Sequence, residues 1–226
     1  MQADDMALTW RRYRVQMTTT HVFEVPPVTT PDTATDTASV ALMTAEELLL
    51  YPMPDKRVEL VRGHVVVREP PGMHHGECAV RVVVAISTFL HHDRSQRGAP
   101  FTRGRVFTCD TGFTLARNPD TVRGPDVAYV SRVRWAGPLP QGYGEFAPDL
   151  AVEIRSPGDR PGAVLAKVGD WLEAGALLVW VVDPARALIS VYRADGSQAL
   201  LGISDALDGG DVLPGFALAL AELFAE

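Results

Sequence analysis

The chain has 226 residues, of which 46% are apolar and 22% charged, a composition typical of a globular domain. Its net charge of −7 argues against strong non-specific DNA binding, so a nucleic-acid enzyme would need a local basic rim or metal ions to offset phosphate repulsion. The apolar runs are far shorter than the roughly 20 residues of a membrane span, and no apolar stretch follows the arginines at positions 11–14. We therefore expect a cytoplasmic protein without a membrane segment or a secretory signal.

Residues 1–42 have the composition of a disordered leader. Residues 18–38 consist largely of Thr, Pro, Asp and Ala, and three prolines interrupt any helix. The alternative is an extension upstream of a true start at Met43. We predict that residues 43–226 form one domain.

The first predicted elements are a capped helix, a hairpin and a long helix. Thr44-Ala-Glu-Glu47 has the form of a capping box before three leucines. Residues 58–61 and 64–68 are typical of two strands that turn at Arg62-Gly63. From about His75 the apolar positions keep the 3, 4, 7 spacing of one helical face.

The remainder of the chain interleaves short strands with helices. We predict strands near residues 105–109, 111–115, 126–130, 149–154, 177–182 and 189–193, and helices over residues 162–174 and 217–224. Because these elements lack regular βαβ repeats, they predict an α/β fold in which a mixed β-sheet is flanked by helices.

A glutamate interrupts the strand predicted at residues 149–154. Glu153 lies within the apolar run Leu150-Ala-Val-Glu-Ile154, where a carboxylate is costly to desolvate unless it is paired or holds a metal. In a strictly alternating strand the same side chain would point to solvent. The sequence leaves both interpretations open.

Asp126 begins another predicted strand, directly after Gly124-Pro125. An aspartate in this place is often only a turn cap. If the two strands are neighbours, however, Asp126 and Glu153 meet at one sheet edge. Two carboxylates there suit Mg²⁺, which keeps several of its waters.

Lys167 lies at the border of a helical stripe that includes Leu165 and Trp171. A lysine at such a border either extends to solvent or lies over the sheet edge toward Glu153. In the second arrangement its ammonium would orient a water or stabilise charge on a phosphate.

Glu59 repeats the pattern of an acid within an apolar strand. It is either a further metal ligand, a residue that supports the ligands, or the ion-pair partner of Arg57 or Arg62. His74 and His75 stand where a helix begins, and they are either a cap and surface feature, metal ligands or a general base.

Two further groups of residues are the cysteines and four of the arginines. Cys78 and Cys109 are too few for a disulfide framework and lack zinc-site spacing, so we expect reduced, mostly buried thiols. Four arginines either form a weak basic rim near Asp126 or are scattered and solvated. They are Arg103, Arg105, Arg117 and Arg123.

Several segments together resemble the Uma family of bacterial restriction-endonuclease-like proteins, from about Met43 to Phe224. They are Met43-Thr-Ala-Glu-Glu-Leu48, Val58-Glu-Leu-Val-Arg-Gly63, Pro70-Pro-Gly-Met-His-His75, Gly124-Pro-Asp-Val-Ala-Tyr-Val-Ser131, Ala147-Pro-Asp-Leu-Ala-Val-Glu-Ile-Arg-Ser-Pro157, Lys167, Val179-Trp-Val-Val-Asp-Pro184 and Leu213-Pro-Gly-Phe216.

The resemblance implies the PD-(D/E)xK nuclease fold, with a metal-holding core of Asp, Glu and Lys. Asp126 looks like the aspartate of the Pro-Asp motif, and Glu153 looks like the strand glutamate. The third motif position is Arg155, and the family's lysine corresponds to Lys167 on the following helix. Glu59 matches the family's N-terminal acid.

This chain departs from the family pattern in the loop before the lysine and in the helix that carries it. Ala163 stands near where the family has an aspartate, and Trp171 replaces the usual tyrosine. His75 matches a histidine that is frequent before the long helix. The departures leave the predicted metal ligands intact and affect the expected substrate contacts.

The resemblance implies a DNA endonuclease dependent on Mg²⁺ or Mn²⁺. Asp126, Glu153 and Glu59 would hold the metal, Lys167 would complete the catalytic set, and a homodimer is expected by family analogy. The alternative is a non-catalytic nucleic-acid-binding or regulatory module that retains the endonuclease fold.

Overall fold

The computed structural model describes residues 42–51, 56–97, 104–108 and 111–225. These residues lie in one compact unit, Val40–Glu226. The predicted leader, apart from Leu42, and Cys109 are outside the described residues.

Four helices are found among the described residues: α1 (Ala45–Leu49), α2 (Met73–Arg97), α3 (Pro161–Glu173) and α4 (Leu220–Leu223). The strands are β1 (Arg57–Val61), β2 (His64–Arg68), β3 (Gly104–Thr108), β4 (Phe113–Ala116), β5 (Thr121–Arg123), β6 (Val127–Ser131), β7 (Leu150–Ile154), β8 (Leu178–Asp183), β9 (Leu188–Arg193), β10 (Gln198–Leu201), β11 (Ala206–Gly209) and β12 (Leu213–Ala219).

The largest sheet is mixed and has six strands in the order β10-β9-β8-β7-β6-β3. Strands β7 and β8 are parallel, and the other neighbours are antiparallel. The long α2 packs on one face of this sheet, and α3 packs on the other. This confirms the predicted α/β fold with a mixed sheet flanked by helices.

The two faces of β7 are distinguished by the period-two alternation of a strand. Leu150, Val152 and Ile154 face the α2 core, whereas Ala151 belongs to the cluster beneath α3. Glu153 follows the parity of Ala151 and therefore points toward α3.

A second sheet has the order β2-β1-β5-β4 and contains the predicted hairpin. Its turn has positive φ angles at both Arg62 (50°) and Gly63 (78°), as a type I′ turn requires. A Cβ at Gly63 would lie 2.5 Å from the Cβ of Leu42, so glycine is needed there for space as well.

Helix α1 is held by its capping box and by Asp120. Thr44 and Glu47 make both capping contacts, and the Asp120 carboxylate accepts from the backbone N–H of Ala45 at 2.9 Å and from Arg117 at 2.7 Å. Burial favours a raised pKa for Asp120, but hydrogen bonds from the N–H groups of Ala45 and Asn118 and from Arg117 outweigh it and lower the pKa.

Some predicted elements differ from the structure. Residues 217–219, expected to be helical, end strand β12, whose partner β11 was not predicted, and only four residues form α4. Leu165, expected in the buried stripe of α3, is 54% exposed.

Cys78 is buried and free, as predicted. Among the described helices, none combines the length and apolar character that a bilayer crossing requires.

Candidate active site

An open cleft of about 810 Å³ lies where the two larger sheets meet α3 and the start of α2. Glu59, Asp126, Glu153 and Lys167, the four residues predicted as the site, all line it. His75 lines it as well. Residues separated by more than 100 positions in the sequence are therefore brought together at one place.

Glu153 is buried, with 6% of its surface exposed. Its Oε1 accepts a hydrogen bond from the indole Nε1 of Trp171 at 2.9 Å, and its Oε2 accepts one from Lys167 Nζ at 2.7 Å. Burial raises the pKa of Glu153, and the neighbouring carboxylates Asp126 and Glu59 add to the rise, which Lys167 opposes. The interpretation that Glu153 points to solvent is wrong, because α3 covers this face of β7.

Asp126 directly precedes β6, and its backbone N–H bonds to the carbonyl of Val152 on β7 at 3.0 Å. The side chain bridges to the same strand, since Oδ2 accepts from the N–H of Ile154 at 2.7 Å. Oδ1 lies 3.1 Å from His75 Nε2 and 3.3 Å from Arg57. Asp126 is thus more than a turn cap, because it joins β6 to β7 beside Glu153.

Buried Asp126 is surrounded by groups that favour its charged form. Burial would raise its pKa, but the hydrogen bond and charge of His75, the N–H of Ile154 and the charge of Arg57 reverse this effect and lower it. The pKa values of Asp126 and Glu153 are therefore moved in opposite directions by their surroundings.

Lys167 points inward toward Glu153, as one of the two interpretations of the sequence predicted, although β7 lies inside the six-stranded sheet and not at its edge. Its Nζ contacts Glu153 Oε2 at 2.7 Å and Glu59 Oε1 at 3.2 Å, and 15% of its side chain is exposed. Burial would lower the pKa of Lys167, but the charges of Glu153 and Glu59 overcome this and raise it. The ammonium is held between two buried carboxylates.

Glu59 contacts cations from three directions. Besides Lys167, it accepts from Arg123 at 2.9 Å and from Arg68 at 3.4 Å, both through Oε2. Burial would raise its pKa, but Lys167, Arg123 and Arg68 lower it. Glu59 is therefore ion-paired, as one interpretation predicted, but with Arg68, Arg123 and Lys167, whereas the expected partner Arg57 contacts Asp126.

Sequence reasoning missed the supporting roles of Arg123, Asp170 and Trp171. Arg123 was considered as part of a basic rim, yet only 5% of its surface is exposed, and it donates hydrogen bonds to the carboxylates of Glu59 and Asp170. Asp170 follows Lys167 by three positions, so both project from one side of α3. The sequence carries no signal for the contact of Asp170 with Arg123, because the two residues are 47 positions apart and meet only when β5 and α3 pack together.

His75 and Arg155 occupy different parts of the cleft. His75 lies between Asp126 and Ser156, whose Oγ is 3.4 Å from His75 Nδ1, and is buried. Arg155, at the third motif position, contacts Asp183 on β8 at 2.6 Å. Of the arginines considered for a rim, Arg117 instead contacts Glu46 and Asp120, and Arg103 lies outside the described residues.

A divalent cation such as Mg²⁺ requires oxygen ligands, which carboxylates of the cleft could supply. Within the described residues, no group of three or more His, Cys, Asp or Glu side chains is arranged to hold a metal ion. Asp126 and Glu153 lie side by side, and each has one oxygen, Asp126 Oδ2 and Glu153 Oε1, that accepts a single hydrogen bond from a neutral N–H group and retains a lone pair. One or two carboxylates suffice for Mg²⁺, which keeps most of its waters, so this donor pair fits such an ion.

The chain is similar to known proteins both in sequence and in fold. The model of the Uma2 family, described as "Putative restriction endonuclease", matches residues 45–221. This confirms the resemblance predicted from the motifs. Among curated proteins, none matches the chain.

A solved structure with a similar fold is titled as a "putative nuclease belonging to DUF820" from Anabaena variabilis ATCC 29413. The two are 20% identical with a TM-score of 0.68, and the match covers 80% of this chain and 97% of that chain. The fold of this chain is therefore restriction-endonuclease-like, in agreement with the prediction.

Proposed function

The chain belongs to the Uma2 family, and from this premise and the geometry of the cleft we propose that it is a metal-dependent DNA endonuclease of the PD-(D/E)xK type. The observation that carries the proposal is the contact of 2.7 Å between Lys167 Nζ and Glu153, beside Asp126 on the neighbouring strand. A lysine beside two acids at the ends of adjacent strands suits metal-assisted phosphodiester hydrolysis, in which carboxylates hold the ion and a fixed cation stabilises charge on the phosphate.

Asp126 and Glu153 would hold Mg²⁺ or Mn²⁺. When bound, such an ion lowers the pKa of a water and offsets charge on the scissile phosphate. The lowered pKa of Asp126 keeps this carboxylate charged and ready to act as a ligand. The N–H of Ile154 and the His75 ring fix its orientation.

Lys167 would act on the phosphate or on the attacking water. Its ammonium is charged, because the surrounding acids raise its pKa. A fixed cation in a partly buried cleft stabilises developing negative charge more strongly than the same cation in bulk water. The helix position is suited to this role, since α3 places Nζ beside Glu153 although the third motif position holds Arg155.

The charge of the cleft also supports a phosphate-containing substrate. Six Lys or Arg side chains and five Asp or Glu side chains line it, so it carries a formal charge of about +1 within a chain of net charge −7. The cleft is therefore less acidic than the chain as a whole, which is compatible with a phosphate-containing substrate. A homodimer and a cytoplasmic location, expected from the sequence, complete the proposal.

The test is cleavage of supercoiled and linear DNA with Mg²⁺, Mn²⁺ or EDTA. We expect cutting that EDTA prevents, and that Asp126→Asn and Lys167→Met each reduce by about 100-fold or more, since each removes a group that would act on the reacting atoms. Asp195→Asn, an exposed aspartate outside the cleft, is the matched control and should cut like wild type.

Cutting that is indifferent to Asp126→Asn and Lys167→Met would refute the assignment of the site. A folded wild-type protein that binds DNA without cutting it would instead favour the non-catalytic binding module. Each site carboxylate is already ion-paired, Asp126 with Arg57, Glu59 with Arg123 and Glu153 with Lys167, and these pairs would be structural contacts in such a module.

A further inference from the structure

A second layer of charged residues lies behind Lys167. Arg123, at the end of β5, is buried and donates from Nη1 to Glu59 Oε2 at 2.9 Å. Its Nε donates to Asp170 Oδ2 at 2.9 Å, and its Nη2 contacts the same oxygen. The guanidinium therefore ties β1 to α3 through two carboxylates.

This layer is connected directly to the ammonium of Lys167. Asp170 is on α3 one turn beyond Lys167, and Glu59 contacts Lys167 Nζ at 3.2 Å. Lys167 thus reaches Arg123 by two routes, one along the helix through Asp170 and one across the cleft through Glu59. The layer therefore contacts both the helix that carries Lys167 and, through Glu59, the ammonium at the end of its side chain.

We propose that Glu59, Arg123 and Asp170 are positioning residues that fix the Lys167 ammonium against Glu153, and that Glu59 is not a ligand of the catalytic cation. Both oxygens of Glu59 already face cations, Oε1 the ammonium and Oε2 two guanidinium groups. A divalent ion at Glu59 would have to lie among these three positive charges. The catalytic role of Lys167 in this inference rests on the proposed function. The positioning of Lys167 by these residues does not depend on that function.

The chain offers a direct observation of the positioning, because Lys56 and Lys167 are its only lysines. Lysine labelled with ¹³C at Cε gives two side-chain signals, which Lys56→Arg assigns. Lys56 is the internal reference, since its side chain is 35% exposed and its partner Glu69 is 77% exposed. In the wild type we expect the Cε order parameter of Lys167 to be well above that of Lys56.

Glu59→Gln and Asp170→Asn keep the size of each side chain and remove its charge. Each should lower the order parameter of Lys167 and leave Lys56 unchanged, with circular dichroism confirming that the variant is folded. Asp170 provides the second variant if Glu59→Gln does not fold, since its side chain is 25% exposed and lies at the edge of the layer. An order parameter of Lys167 that stays unchanged in both variants would overturn the positioning.

Binding of Mn²⁺, followed by the electron paramagnetic resonance of the free ion, tests the claim about the ligand. We expect Glu59→Gln to bind within about twofold of wild type and Glu153→Gln about tenfold or more weakly, because the charge of the ligands sets the affinity. Glu59→Gln should lower kcat by about 10- to 100-fold with little change in KM, as a misplaced catalytic group does. Loss of Mn²⁺ affinity in Glu59→Gln equal to that in Glu153→Gln would overturn the inference.

Failure of the proposed function gives a different result. A wild-type protein that neither binds Mn²⁺ nor cuts DNA refutes the endonuclease, and the order parameters of Lys167 then decide the positioning alone. Metal binding and cutting by the wild type, with Lys167 indifferent to Glu59 and Asp170, refute the positioning and leave the endonuclease standing.

Discussion

Removal of the Lys167 ammonium should destabilise the folded protein, because the ammonium is paired with two buried carboxylates. Lys167→Met keeps the apolar stem and removes the ammonium, which contacts Glu153 at 2.7 Å and Glu59 at 3.2 Å. The two acids retain only 9% and 6% of their side-chain exposure. Without the cation, two carboxylates are left buried with one partner fewer.

The expected magnitude follows from this burial. Breaking a buried ion pair by removing one partner costs about 3–5 kcal/mol, whereas an exposed pair contributes about 0–1 kcal/mol. Because Glu153 has a raised pKa and can take up a proton in place of the lost cation, we expect the lower end, about 3 kcal/mol. Lys56→Met is the matched control, since it breaks the exposed Lys56–Glu69 pair, and it should cost about 1 kcal/mol or less.

Urea unfolding at pH 7, followed by circular dichroism and by tryptophan fluorescence, measures both variants. Coincident transitions establish that unfolding is two-state, and the midpoints then give the difference in free energy. The double variant Lys167→Met/Glu153→Gln also removes the buried charge that Lys167→Met leaves without its partner. Part of the unfolding free energy lost in Lys167→Met should therefore be recovered. Equal small losses in Lys167→Met and Lys56→Met would refute the reasoning, because they would mean that Lys167 is solvated.

Three further predictions concern the same described residues. Trp171→Phe removes the indole N–H that donates to Glu153 at 2.9 Å, and it should lower the free energy of unfolding in urea titrations by about 1.5–3 kcal/mol. A loss below about 0.5 kcal/mol, on the order expected for a surface substitution, would contradict this prediction. The pKa of Asp120 is lowered by the hydrogen bonds described above, so the stability that Asp120 contributes is complete above pH 3.8, its ordinary pKa, and is lost as the pH falls below that value. Asp120→Asn should therefore flatten the acid limb of a plot of unfolding free energy against pH. An unchanged slope in that limb would contradict the assignment. Mn²⁺ at about 100 times its Kd should stabilise the wild type by about 2.7 kcal/mol in thermal unfolding, and Asp126→Asn should lose most of this gain; equal gains in both proteins would place the ion elsewhere.

Much of the fold could be predicted because its signals are local. The capping box at Thr44, the hairpin turn at Arg62-Gly63 and the apolar run of β8 each depend on neighbouring residues alone. The elements that were missed lack such signals. Strand β5 has three residues, and β12 contains Pro214 and Gly215, which are uncommon within strands.

The candidate site was predicted as a set of residue types but without its contacts. Glu153 and Asp126 were identified because an acid in an apolar strand is costly, and that reasoning needs only the sequence. Arg123 and Asp170 were not identified, because each looks like an ordinary surface charge until its partner is known. Their burial depends on β5 and α3 meeting over the cleft.

By itself, the sequence determined the α/β class, the most informative acids and the family, because hydrophobic periodicity and motif order are written in the chain. Only the tertiary structure decided that Glu153 is covered by α3, that Lys167 turns inward and that Glu59 faces three cations. The physical reason is that burial and charge pairing are properties of neighbours in space. A carboxylate on β1 and an ammonium on α3, 108 positions apart, become partners only when the two sheets and the helix pack together.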